Sequence, residues 1–131
     1  KGYTYGISAG IMFYPDSGLL AISTETDNEY VEPLIQEVYH EIDRLHQEPV
    51  SAEELTIVRN YMLGEMCRSY ESPFSLSDAW IFIATSGLDD DYFSRSLLAV
   101  NEVTPMEIQD LAQRYLCKET LKEVIAGKKL S

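Results

Sequence analysis

Two histidines on one predicted helix are the first candidates for metal chemistry. His40-Glu41 begins like the HExxH zinc motif, but position 44 is Arg and the next histidine is His46. Six residues rotate a helix by about 600°, so the two imidazoles lie on different faces and cannot share one metal. The inverted HxxEH motif is absent from the 131 residues as well. We therefore interpret His40 and His46 as surface histidines of a helix.

The sequence gives no stronger evidence for nucleophilic or acid–base catalysis. Cys67 and Cys117 are far apart, form no CxxC pair and have no neighbouring histidine, which is typical of buried small apolar residues. No GxSxG motif is present. Glu53-Glu54 and the run 89–91 of three aspartates lie where helix N-termini favour acidic residues. The residues alone predict a domain without a catalytic constellation.

Residue periodicity predicts a single α+β domain over 1–131, with an antiparallel-rich sheet covered by several helices. Apolar residues alternate from Tyr3 to Ile11, and Pro15-Asp16-Ser17-Gly18 is turn chemistry, so residues 3–26 are predicted to form a hairpin. Residues 28–116 are predicted to be helical, and 121–127 to form a closing strand.

Five helices are expected in the helical part, and local signals mark their ends. The first runs from Asn28 to about Pro49, and the fourth from the aspartate run 89–91 to about Val100. Ser51-Ala52-Glu53-Glu54 and Thr104-Pro105-Met106-Glu107 are capping boxes that open the second and fifth helices. The third begins at Ser72-Pro73, ends at Gly87, and is predicted to be the most buried. The residues behind that last prediction are Phe74, Trp80, Ile81 and Ile83.

Charge limits the partners that the chain can have. It holds 22 acidic and 10 basic residues, a net charge of −12, which argues against binding nucleic acid. Residues 25–54 contain ten acidic residues against Arg44 alone. We interpret this segment as a solvated helix face, and the alternative is an acidic surface that binds cationic proteins. The longest apolar run, 79–84, is too short to span a bilayer, and no signal peptide is readable, so the compartment is unknown.

An ordered set of motifs runs through the whole chain. It consists of KGYTYGISA, a PxSG-like turn, EPVSAEEL followed by YMLGE, SGLDDDYF, VTPMEIQDLAQRYL and EVIAGK. This order resembles the zinc peptidases of the insulinase/pitrilysin family, and most closely their second, non-catalytic domain. The resemblance implies two similar α+β domains, in one chain or two, that close like a clamshell around a peptide.

The same resemblance implies that the two domains have different roles. The first domain of the family carries HxxEH and a downstream Glu for the zinc, whereas the second contributes substrate contacts. The chain is therefore expected to bind no metal and to be no enzyme on its own; zinc is expected in a partner catalytic HxxEH domain. Family second domains also carry an Arg and, seven residues later, a Tyr that reach toward the active site. The Tyr falls on Tyr5, our candidate for contact with the peptide or with the oxyanion, and the Arg would lie upstream of Lys1.

One departure from the family has a structural consequence. Family domains have an upstream strand-and-helix segment that this chain lacks, so its domain is expected to be incomplete on the N-terminal side. An uncovered sheet edge should then cause self-association of the isolated chain. A non-proteolytic structural module, like the family's respiratory-complex core subunits, is the alternative function of the same ancestry.

Overall fold

The computed structural model describes residues 1–14 and 16–128. These residues form a two-stranded antiparallel sheet and five α-helices, which confirms the α+β class. The strands are β1 (Ile7–Tyr14) and β2 (Ser17–Thr24), and the helices are α1 (Val31–Gln47), α2 (Ala52–Arg68), α3 (Pro73–Ser86), α4 (Tyr92–Glu102) and α5 (Pro105–Tyr115). Single 3₁₀ turns lie at Asn28–Tyr30 and Lys118–Thr120. No helix in the described ranges is long and apolar enough to cross a membrane.

The chain divides into two compact units. The first, which we call the hairpin unit, contains Lys1–Gln47 and the C-terminal segment from Ala112. The second, the helical unit, contains Glu48–Leu111. Each unit has its own small apolar centre. Leu34, Ile42 and Ala112 are buried in the hairpin unit, and Leu55 and Ile83 in the helical unit.

The hairpin lies inside the predicted range 3–26 but is shorter. Its register pairs Ile7 with Thr24 and Tyr14 with Ser17, so both strands are paired along their full length. Residues 3–6, which also alternate in the sequence, precede β1 and belong to no strand.

The closing strand predicted at 121–127 is not found. These residues have irregular backbone and follow the 3₁₀ turn Lys118–Thr120. A strand requires a neighbouring strand for its hydrogen-bond ladder, and among the described residues β1 and β2 pair only with each other. Apolar alternation alone could not show that 121–127 lacks such a neighbour.

The helix ends follow the capping signals. The Ser51 hydroxyl accepts a hydrogen bond from the Glu54 amide at 3.1 Å. The Thr104 amide donates to the Glu107 carboxylate at 2.8 Å, and the Glu107 amide donates to the Thr104 hydroxyl at 3.3 Å. These bonds satisfy N–H groups that a helix leaves without intrahelical partners. The predicted capping box at Thr104 is confirmed in full, whereas at Ser51 only the hydrogen bond to the hydroxyl is formed. Gly87 ends α3 at φ +65°, a left-handed conformation that favours glycine.

The prediction that α3 is the most buried helix is wrong. Phe74 is 83% exposed, Trp80 46% and Ile81 57%, and Ile83 is the one buried residue of α3. Apolar side chains occur all round this helix, but the described chain covers only one side of it. The apolar composition of α3 therefore predicted burial correctly only for the side on which Ile83 lies.

Candidate functional site

The segment before β1 is held in place by three threonines. The Thr4 hydroxyl donates to the Gly6 carbonyl at 2.8 Å and accepts from the Gly6 amide at 3.1 Å. The Thr24 hydroxyl at the end of β2 lies 2.9 Å from both the Thr4 hydroxyl and the Gly6 carbonyl and can donate to either. The Thr26 hydroxyl donates to the Tyr3 carbonyl at 2.5 Å. Residues 3–6 are thereby fixed to the end of β2.

Tyr3 and Tyr5 have different environments within this segment. The ring of Tyr3 stacks on the ring of Tyr30, with centroids 5.4 Å apart and planes at 24°. Tyr5 is fully exposed, and among the described residues none forms a hydrogen bond, ion pair or ring contact with its side chain. Its phenol is therefore free to meet a ligand, while the backbone on either side of it is held. A role for Tyr5 in substrate binding stays a prediction.

An open depression of about 410 Å³ surrounds Tyr5. Its walls are residues 4–8 from one side of the hairpin and residues 23–25 from the other. These residues offer hydroxyl groups, backbone groups and one carboxylate, that of Glu25, which is exposed. Such groups can hold an extended peptide by hydrogen bonds, but the depression contains no pairing of a nucleophile with a base.

The hairpin itself presents uncovered apolar side chains. Every residue of β1 is exposed, and neither strand contains a charged residue. The exposed large side chains are Ile7, Ile11, Met12, Phe13, Tyr14, Leu19 and Ile22. Because the described sheet has only two strands, the outer edges of both lie open to further strands. A two-stranded hairpin is marginally stable alone, which makes this surface suited to binding another chain.

The two histidines have different surroundings. His40 is exposed on α1, whereas His46 is half-buried and its Nε2 lies 3.0 Å from the carbonyl oxygen of Ala112. Since a carbonyl can only accept, this nitrogen must carry the proton of the hydrogen bond. His46 therefore joins the end of α1 to Ala112, and our interpretation of it as a surface residue is wrong. Within 1–14 and 16–128, no three His, Cys, Asp or Glu side chains are grouped so that they could hold a metal.

The cysteines and the acidic segment add no reacting group to the site. Cys67 is exposed and Cys117 half-buried, both as free thiols, so burial was wrongly predicted for Cys67. In residues 25–54 every acidic side chain is exposed except Glu37 and Asp43, which are half-buried. Glu37 pairs with Lys1 and Asp43 with Lys118. The hydrogen bond from Lys1 lowers the pKa of the Glu37 carboxyl below its ordinary value, so the carboxylate stays ionised.

Comparison with known families gives one finding. Residues 1–62 match the family model described as the peptidase M16 inactive domain. The matched stretch is just under half of the chain, and over it the chain is similar to the inactive domain of M16 peptidases. The match confirms the resemblance to a non-catalytic C-terminal domain of the insulinase family, and in this family the inactive domain pairs with a catalytic domain. No curated protein matches the chain.

The matched stretch contains the depression, Tyr5, the hairpin and α1. Sequence reasoning reached Tyr5 only through the resemblance, and it missed the threonines that fix the segment around it. Thr24 is the last residue of β2 and Thr26 follows two residues later, and this spacing was the available signal. Their hydrogen bonds to Gly6 and Tyr3 could be predicted only once the hairpin register was known.

Proposed function

We propose that this M16 inactive domain is the substrate-binding and chamber-forming half of a zinc metallopeptidase that hydrolyses peptides. The family match over residues 1–62 supports this function most strongly, because the matched domain is the non-catalytic one. The exposed Tyr5, held between fixed backbone segments at an open depression, supports the position of the peptide contact. The catalytic HxxEH domain, in the same chain or a partner chain, would hold the zinc.

In this proposal the residues of the chain bind and orient, and the partner carries out the bond cleavage. A zinc ion held by the HxxEH residues of the partner domain would supply the activated water for attack on the peptide carbonyl. The Tyr5 phenol donates a hydrogen bond to a substrate carbonyl or to the oxyanion that forms from it. The hydroxyls and backbone groups of the depression position the peptide, which places its carbonyl in reach of the phenol.

The proposal predicts that this chain raises the activity of its catalytic partner. The HxxEH domain of the parent protein should cleave a fluorogenic peptide slowly alone and at least tenfold faster when the chain is added, since substrate contacts are then complete. The matched control is the same mixture with the Glu of HxxEH changed to Gln, which should show no cleavage. A cleavage rate that does not respond to the chain would favour a structural module without proteolysis.

We also propose that the isolated chain self-associates through the hairpin. Neither strand contains a charged residue, β1 is exposed along its whole length, and open strand edges pair readily with another copy. Light scattering coupled to gel filtration should show species larger than one chain at high concentration. Ile11→Lys places a charge on the 59% exposed Ile11 of β1 and should restore the monomer. Ile57→Lys changes an equally apolar, 65% exposed side chain of α2 and should leave the association intact. A monomer at all concentrations, or equal effects of the two variants, would contradict this.

A further inference from the structure

A second depression lies wholly within the helical unit and is apolar. It has a volume of about 280 Å³, formed where α2 meets α4 and the first turn of α5. Its lining residues are Leu55, Val58, Arg59, Met62, Ala99, Val100, Val103 and Ile108. A water molecule occupies about 30 Å³ of liquid, so the depression has room for several waters, yet its walls offer them almost no polar partner. Replacing that water with an apolar side chain is favourable.

Arg59 gives the depression a fixed wall. Its Nε donates to the Val100 carbonyl at 3.1 Å, and its Nη2 donates to the Val103 carbonyl at 2.5 Å. Both carbonyls belong to the C-terminal end of α4, where a helix leaves acceptors without intrahelical partners. The arginine therefore holds α2 and the end of α4 together and leaves its aliphatic stem along the wall. These two hydrogen bonds fix the wall of the depression that Arg59 forms.

Acidic residues neighbour the lining residues in the sequence. Glu54, Glu102 and Glu107 are each adjacent in sequence to a lining residue, and all three are exposed. The hydrogen bonds from the Thr104 amide and hydroxyl lower the pKa of the Glu107 carboxyl, which keeps it ionised. Each of the three glutamates directly precedes a lining residue, so we infer that they border the depression, and we call them its rim.

No basic side chain of the helical unit is left to neutralise the rim. Residues 48–111 contain twelve acidic and three basic residues, a net charge of −9. Arg59 is engaged by two carbonyls, Arg68 pairs with Glu65, and Arg95 pairs with Asp89 and Asp91. Complementary charge must therefore come from another molecule.

We propose that this depression binds a basic segment of another protein, which inserts one large aliphatic side chain between flanking Lys or Arg residues. The apolar walls select the inserted side chain, and the glutamates of the rim select the cations. This inference is independent of the function proposed for Tyr5, because it requires neither a peptidase nor the hairpin.

The test compares two labelled peptides on the full chain by fluorescence anisotropy. One probe is Gly-Lys-Arg-Leu-Lys-Arg-Gly, and the other has Gly in place of Leu. We expect the Leu probe to bind at least tenfold more tightly, and both to weaken as salt rises because the rim contacts are exposed. Equal binding of the two probes, or binding of neither, would overturn the proposal. This comparison requires no variant of the protein.

A filled depression provides the second test. Ala99→Phe places a ring in the depression from an exposed position of α4 and should weaken the Leu probe at least tenfold. Ala84→Phe makes the same change at an exposed position of α3 outside the lining and should leave binding unchanged. Equal Leu-probe affinity in Ala99→Phe and the unchanged chain would place binding elsewhere. If Ala99→Phe instead changed only the oligomeric state, a second copy would be the occupant and the proposal would be wrong.

Discussion

Tyr5→Phe in the complete two-domain enzyme should lower kcat by roughly 10²–10³ and leave the melting temperature nearly unchanged. A hydrogen-bond donor that stabilises an oxyanion contributes on the order of 2.7–4 kcal/mol in the transition state, and the substitution removes that donor alone. The ring stays in place, and it has no packing contact to lose because Tyr5 is fully exposed. Steady-state cleavage of a fluorogenic peptide and thermal unfolding measure the two effects separately.

Tyr3→Phe is the matched control for this experiment. Tyr3 lies two residues away in the same fixed segment, but its ring stacks on Tyr30 and its backbone carbonyl accepts from Thr26. Both contacts survive the loss of the hydroxyl, so turnover and stability should stay close to those of the unchanged enzyme. Unchanged turnover in Tyr5→Phe, or equal losses in the two variants, would remove Tyr5 from the proposed substrate contact.

Local sequence signals predicted the helices because their causes are local. The Ser51 cap, the Thr104 capping box and the left-handed Gly87 at the end of α3 involve residues within four positions of each other. Their geometry follows from the residue types without reference to the rest of the chain. The hairpin is similar, since β1 and β2 follow each other closely in the sequence; of the predicted turn 15–18, Pro15 lies outside the described residues, and Ser17 and Gly18 belong to β2.

The predictions that failed depended on contacts between residues distant in sequence. The strand expected at 121–127 needed a partner strand, and burial of Phe74 and Trp80 needed a neighbouring surface on α3. Hydrophobic patterns report what a segment can bury but not what is available to cover it. The exposure of Cys67 shows the same limit for a single residue.

Only part of the candidate site was predicted, and that part came from the family resemblance rather than from local sequence signals. Composition gave no preference for Tyr5 over Tyr3, and only the family resemblance selected it. The threonine contacts that fix the backbone near Tyr5, and the Arg59 hydrogen bonds that shape the second depression, join residues 18 to 44 positions apart. Contacts of this kind depend on strand register and helix packing, which the periodicity of one sequence does not determine.

The most direct test of the account measures zinc and peptide cleavage by this chain alone. A catalytic zinc needs three protein ligands and an open position for water, and the helical spacing of His40 and His46 keeps their rings on different faces. After dialysis against zinc-free buffer, the account predicts no stoichiometric zinc by metal analysis and no chelator-sensitive cleavage of a fluorogenic peptide. About one tightly held zinc per chain, or cleavage that a chelator abolishes, would contradict the proposal that this chain is the non-catalytic half of a peptidase.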